Sequence, residues 1–316
     1  MATQYKLNWR PSPFDERDFK FSAMPGLDKI AIPEQADLQG KIPEVFDQGR
    51  VGSCTGNAGA MLGLHVSRLQ KREISPSRLM LYYGAREEIG QTEYDEGAYI
   101  RDIFKAWAKT GVAPESTWPY IEANATLRPS SEAYSAAKKT LATEYRAIEQ
   151  GRLEEIKTCI AMGYPFAMGF RVFQSFYGDW KDAMPIPKAS EKILGGHAVA
   201  AIGYDNARQA FKIKNSWGLD WKNGGHFWMP YRYITNSDFC EDFWMLTGIT
   251  PGDAPIPTPD NVTSIIDAKK VFTEKFGLVK LRKEEICRIG SQMGVNVDFF
   301  KSKAYNVAIV AGALGL

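Results

Sequence analysis

At 316 residues, with 44% apolar and 12% aromatic residues, the chain has material for a substantial packed core and is too short for three ordinary domains. Its 39 Lys and Arg nearly balance 37 Asp and Glu, a formal net charge of +2, so it lacks the electrostatic footprint of a nucleic-acid binder. No segment approaches the ~20 consecutive apolar residues that span a bilayer, so no membrane span is expected. Met1 to Arg10 contains no apolar run that reads as a signal peptide.

Residues 1–36 are turn-rich, with Pro11, Pro13, Pro25 and Pro33 and the charged run Asp15-Glu16-Arg17-Asp18. They read as an N-terminal arm or a short pro-region. Residues 37–249 are uniformly globular in composition. The four cysteines, Cys54, Cys159, Cys240 and Cys287, show no CxxC pair and no metal-ligand spacing, so neither a metal nor a cofactor is expected. Without an export signal, reduced thiols in the cytoplasm or another reducing compartment are the default.

Asp47-Gln48-Gly49-Arg50-Val51-Gly52-Ser53-Cys54 opens the first helix. Ala58, Met61, Leu62, Val66 and Leu69 follow at helical spacing, and Ser53 is suited to cap the N-terminus. Cys54 then lies in the first turn, where free N–H groups and the helix dipole favour a thiolate. His65, three turns along, is expected to be a core histidine.

Gly196 to Tyr204 reads as a buried strand, and Ala210 to Asn215 as a half-buried one with Phe211, Ile213 and Asn215 inward and Lys212 and Lys214 outward. Asp205-Asn206-Ala207-Arg208-Gln209 carries turn chemistry between them. A hairpin folded about Asn206 places His197 opposite Asn215, with β-carbons roughly 5 Å apart. His226 has no comparable partner and is expected to be structural.

Pro251 to Asp260 packs four prolines into ten residues, an extended spacer that sets residues 250–261 as a linker. Residues 262–316 are expected to form a small helical C-terminal extension, with helices over Val262–Phe276 and Arg282–Met293. It ends in an apolar tail. Below ~70 residues such a core is marginal alone, so the extension is expected to dock to a partner or assembly, or to pack on its own chain.

Taken singly, a helix-start cysteine or a strand histidine is most often structural. The joint pattern is more specific. Gln48 six residues before Cys54, then Gly196-His197-Ala198, then Asn215-Ser216-Trp217-Gly218, resembles the papain-like cysteine peptidases of the C1 family. The likeness runs from about Asp37 to Ile249 and is nearest in style to bacterial or viral members that lack the family disulfides. It implies an α+β, two-lobed papain-like fold, with a helical lobe carrying Cys54 and a β-barrel-like lobe carrying His197.

It also implies roles. Cys54 would be the nucleophile, His197 its base and later acid, Asn215 the residue that orients the imidazole, and Gln48 an oxyanion donor beside the Cys54 N–H. Trp217 would shield the His197–Asn215 pair. Gly97, in a shortened substrate wall Tyr94-Asp95-Glu96-Gly97-Ala98, together with Gly169, Gly196 and Trp217, would contact the substrate. Val51 stands where the family has a disulfide cysteine, and Thr55 where it has tryptophan. The implied activity is hydrolysis of peptide bonds in a peptide or protein substrate. A peptide ligase or narrow amide hydrolase shares that chemistry, and a catalytically silent binding protein shares the fold.

Overall fold

The computed structural model describes residues 5–250, which belong to one compact unit, Met1–Gly252. The expected spacer beyond residue 250 and the two C-terminal helices lie outside the described residues.

The unit has a helical side and a sheet side. Helix α1 (Cys54–Leu69) is buried over nearly its whole length and packs between α2 (Arg78–Glu87) and α3 (Ile100–Thr110) on one side and the sheet on the other. In α3, Ile100, Ile103, Phe104 and Trp107 recur at i, i+3, i+4 and i+7, and all are buried against the core. Burial of side chains of this size stabilises the fold by about 1.5–3 kcal/mol each. Glycines let α1 come close: a β-carbon on Gly59 would lie 2.6 Å from Ile103 Cγ2, and one on Gly63 only 2.2 Å from Trp107 Cη2. This spacing seats α1 closely against α3.

The sheet is seven-stranded and antiparallel throughout. Its strands are β1 (Gln35–Asp37), β2 (Ala142–Ile148), β3 (Phe166–Phe173), β4 (Ile193–Asp205), β5 (Ala210–Lys214), β6 (His226–Pro230) and β7 (Cys240–Ile249). They run in the order β2-β7-β3-β4-β5-β6, with β1 added to β4. Two short helices, α4 (Ser131–Ala137) and α5 (Leu153–Ala161), bracket β2, and α6 (Tyr231–Ile234) follows β6. The mixed α+β architecture expected from the sequence is present.

The β4–β5 hairpin corrects one expectation. Its tip pairs Asp205 with Ala210, and a bulge between Ala201 and Gly203 leaves Ala200 opposite Lys214. His197 is therefore not the cross-strand partner of Asn215. A turn centred on Asn206 would pair the two, but the observed turn takes all four of Asn206 to Gln209, with Gln209 at φ +50°, and the bulge restores only part of the displaced register. Lys214 is a second correction. It is fully buried instead of outward, and its Nζ donates to the carbonyls of Ile42 and Glu44, which supply the polar partners that burial requires.

The N-terminal arm is part of this packed unit. Trp9 and Phe21 are buried, Lys20 bridges Ala147 on β2, and Asn8 bridges Gly196 on β4.

Candidate active site

Cys54 is the first residue of α1 and has no exposed surface. Ser53 occupies the N-cap position, yet its hydroxyl does not cap the helix. It pairs instead with Tyr120 Oη at 2.5 Å and accepts from Asn57 Nδ2 at 3.0 Å. The backbone N–H groups of Thr55, Cys54 and Ala198 favour a thiolate, but burial outweighs them and pushes the thiol up to about 11. Burial thus opposes the thiolate that the helix position alone favours.

Ala198, whose N–H approaches the Cys54 sulfur, follows His197 on β4. His197 is fully buried, and burial lowers its pKa to about 4 against the opposing hydrogen bond to Asn215. Its Nε2 lies 2.7 Å from Asn215 Oδ1. Because that oxygen accepts, Nε2 carries the proton and Nδ1 keeps its lone pair; Nδ1 has no hydrogen-bond partner among the described residues. Asn215 leaves β5 directly after Lys214. Its N–H donates to Gly225 O at 2.9 Å, and its Oδ1 also accepts the Ser216 N–H at 2.9 Å. The side chain reaches His197 along the diagonal that the hairpin register leaves.

Trp217 covers this pair, its ring 4.8 Å from that of His197. Gln48 is fixed from the same segment: Gln48 N donates to Ser216 O at 2.8 Å, and Ser216 Oγ donates to Gln48 Oε1 at 2.8 Å. With its oxygen engaged, the amide turns its Nε2 toward the cleft, where it donates to Val51 O at 3.0 Å and Lys6 O at 3.4 Å. The loop from Asp47 to Ser53 carries no disulfide. Asp47 Oδ1 accepts Gly49 N, Gly49 adopts φ +55°, and Gly52 N donates to both oxygens of Asp95 at 2.9 and 3.1 Å. The cysteines Cys54, Cys159 and Cys240 are all free and buried.

The expected substrate-facing residues lie beneath the N-terminal arm. Trp9 N donates to Gly196 O at 2.9 Å, and Gly196 N to Leu7 O at 3.2 Å. A β-carbon on Gly97 would fall 1.8 Å from Asn8 O, and one on Gly169 equally close to Trp9 Cε2. Tyr5 stacks on Trp217 at 4.6 Å and 3°, and Lys6 Nζ reaches Asp95 Oδ2 at 2.7 Å. Residues 5–9 of the same chain therefore cover the positions expected to face substrate.

Residues 32–241 match the papain family cysteine proteases. The chain belongs to that family. An uncharacterized peptidase C1-like protein of Acanthamoeba polyphaga mimivirus is 35% identical over 217 residues, covering 65% of this chain and 70% of its own. The cathepsin B-like CP2 of Giardia intestinalis is 29% identical, covering 64% of this chain and 70% of its own. Xylellain, a cysteine protease from Xylella fastidiosa, superposes with a TM-score of 0.72 at 36% identity, over 78% of this chain and 98% of that one. The papain-like fold and hydrolase class expected from the motifs are thereby established.

Several residues at the site had no assigned role in the sequence. Ser216 lay inside the recognised motif, where its position next to Asn215 was the available signal. Asp95 lay two residues before Gly97. Asp242 had no signal at all, since it sits in a strand that only the fold brings to the cleft. The remaining histidines are structural: His65 Nε2 bonds Gly163 O at 2.7 Å, and His226 Nδ1 bonds Gly224 O at 2.8 Å. Among the described residues no group of three or more His, Cys, Asp or Glu is placed to hold a metal, and no helix is long and apolar enough to cross a membrane.

Proposed function

We propose that the chain is a latent cysteine endopeptidase, held quiet by its own residues 5–9. Cys54 acts as nucleophile with His197 as general base, Asn215 orienting the imidazole, and Gln48 Nε2 joining the Cys54 N–H as oxyanion donors. The observation that carries this reading is the Lys6 carbonyl 3.4 Å from Gln48 Nε2, with the arm's backbone paired to Gly196 beside His197. A peptide already lies where a substrate would lie.

In the open enzyme His197 Nδ1 takes the Cys54 proton as the sulfur attacks the scissile carbonyl, and the negative oxygen is held by the two N–H donors. The imidazolium then protonates the leaving amine. Water, activated by the same imidazole, attacks the thioester, releasing the acid product and restoring the thiol. In the closed state burial pushes the thiol up to about 11 and the imidazole down to about 4, so both favour their neutral forms near neutral pH. Latency then rests on occlusion and on suppressed charge separation. A solved proenzyme, proCathepsin B S9 from Trypanosoma congolense, shares the fold at a TM-score of 0.59 and 17% identity.

The test uses the full chain carrying Trp9→Ala, which removes the arm's largest anchor. Incubated with a mixture of unstructured peptides, it should generate new peptide termini that the Trp9→Ala/Cys54→Ala double variant does not. Equal cleavage by both variants, or joined peptides without cleaved ones, contradicts the reading.

A further inference from the structure

The arm shows what one pocket of the cleft is built to hold. The Trp9 indole lies flat on β3 and β4 because both strands offer glycine there: a β-carbon on Gly169 would lie 1.8 Å from Trp9 Cε2, and one on Gly196 2.7 Å from Trp9 Cε3. Beyond the indole the pocket ends in a carboxylate. Trp9 Nε1 donates to Asp242 Oδ2 at 3.1 Å, Trp244 Nε1 donates to Asp242 Oδ1 at 2.6 Å, and the Ile100 N–H approaches Oδ2 at 3.4 Å.

The backbone has been bent to put the carboxylate there. Asp242 adopts φ +67°, a left-handed conformation uncommon for any residue but glycine. It sits where the pairing of β3 with β7 shifts register, Gly169 facing Glu241 and Ala167 facing Trp244. A bulge of this kind re-aims a side chain, and strained backbone held by packing points to a function for the group it carries. Burial raises the Asp242 carboxyl above its ordinary value, against the hydrogen bonds from Ser12, Trp244 and Trp9 that pull it down.

We propose that Asp242 is a specificity-determining residue: when the arm leaves, the pocket selects a substrate side chain that is large, flat and tipped with an N–H donor, tryptophan foremost. The proposal rests on the peptidase reading above. Physically, a wholly apolar ligand fills the glycine-lined walls but strands a carboxylate that has lost one of its donors. A site built around a buried polar group rejects analogues that lack its partner far more strongly than an apolar pocket rejects a missing methylene. The arm's backbone is held by strand-like hydrogen bonds to Gly196, the way an extended peptide is held, so the side-chain pocket beside it is one that a substrate strand reaches.

The experiment compares peptides that differ only in tryptophan against 2-naphthylalanine, a flat fused bicycle of comparable size without the N–H. The substituted residue is moved in turn through the positions flanking the cleaved bond, and the enzyme is the full chain with Trp9→Ala. At one position the tryptophan peptide should be favoured by about 10–100-fold in kcat/KM, the range a hydrogen bond to a charged group supports. Asp242→Ala in the same background should erase that ratio while the naphthylalanine peptide is still cut. Equal rates at every position, or a preference for naphthylalanine, overturn the proposal.

The wild-type ratio decides the matter even where Asp242→Ala does not fold. If no peptide is cut, the same peptides are tested for protection of Cys54 from iodoacetamide. A tryptophan advantage in protection keeps the pocket assignment while the peptidase reading falls. Equal protection removes the pocket assignment as well.

Discussion

The two walls of the cleft are built by different physics. The helix-side wall, Asp47 to Cys54, is a loop held by polar contacts: Asp95 gathers the Gly52 N–H, the Tyr82 hydroxyl at 2.6 Å and Lys6, while Ser216 fixes the Gln48 amide. The strand-side wall is set by sheet register and an aromatic roof, with Trp217 over His197 and Tyr5 over Trp217. The first wall depends on a few directional bonds, the second on many apolar contacts. Single polar substitutions should therefore damage the loop wall selectively.

The largest effect is expected from Gln48→Ala in the Trp9→Ala background, because it deletes the side-chain amide proposed as an oxyanion donor. Turnover should fall by about 10²–10³, with KM little changed, in a steady-state peptide assay. If kcat is unaffected, the loop wall does not stabilise the oxyanion. Next comes Asp95→Ala, which leaves the Gly52 N–H and the Tyr82 hydroxyl without their acceptor. A loss of about 2–4 kcal/mol in chemical denaturation is expected, from two or more stranded buried groups.

pH probes the strand wall. His197 has a folded pKa depressed to about 4, so the stability it contributes is present above the ordinary value of 6.5 and is lost as pH falls from there through about 4. The full loss is roughly 3 kcal/mol. Thermal melts of the wild type should show this decline, and His197→Gln should lessen it; parallel profiles contradict the assignment. The smallest effect is expected from Ser216→Ala. It frees the Gln48 amide to rotate, should lower kcat about tenfold or less, and should cost about 1–3 kcal/mol of stability, because the buried Gln48 Oε1 loses its donor.

The loop wall was the more legible of the two in the sequence. Helical spacing after Cys54 placed α1 (Cys54–Leu69), and the structure shows Gly49 before it at positive φ. The strand wall was legible as two strands and a turn, but its register was not, because nothing local shows that the turn takes all four of Asn206 to Gln209, and the bulge between Ala201 and Gly203 offsets only part of the resulting shift. Lys214 misled for a related reason: alternation placed it outward, whereas carbonyls more than 160 residues away in sequence accept its protons. The arm's course was likewise illegible. Residues 5–9 carry no strand pattern, and their partners at Asp95, Gly196 and Asp242 are assembled only by the fold.

The central claim is that the arm silences a Cys54–His197 pair. Its most direct test is the rate of iodoacetamide labelling at each cysteine, at about pH 6, where an unpaired thiol is almost wholly protonated. In the wild type Cys54, Cys159 and Cys240 should all label slowly. Trp9→Ala should accelerate Cys54 alone by about 10–100-fold, since each unit by which the thiol pKa falls raises the thiolate fraction tenfold, and His197→Ala should cancel the gain. Unchanged labelling of Cys54 in Trp9→Ala, or equal acceleration at Cys159 and Cys240, would contradict the account.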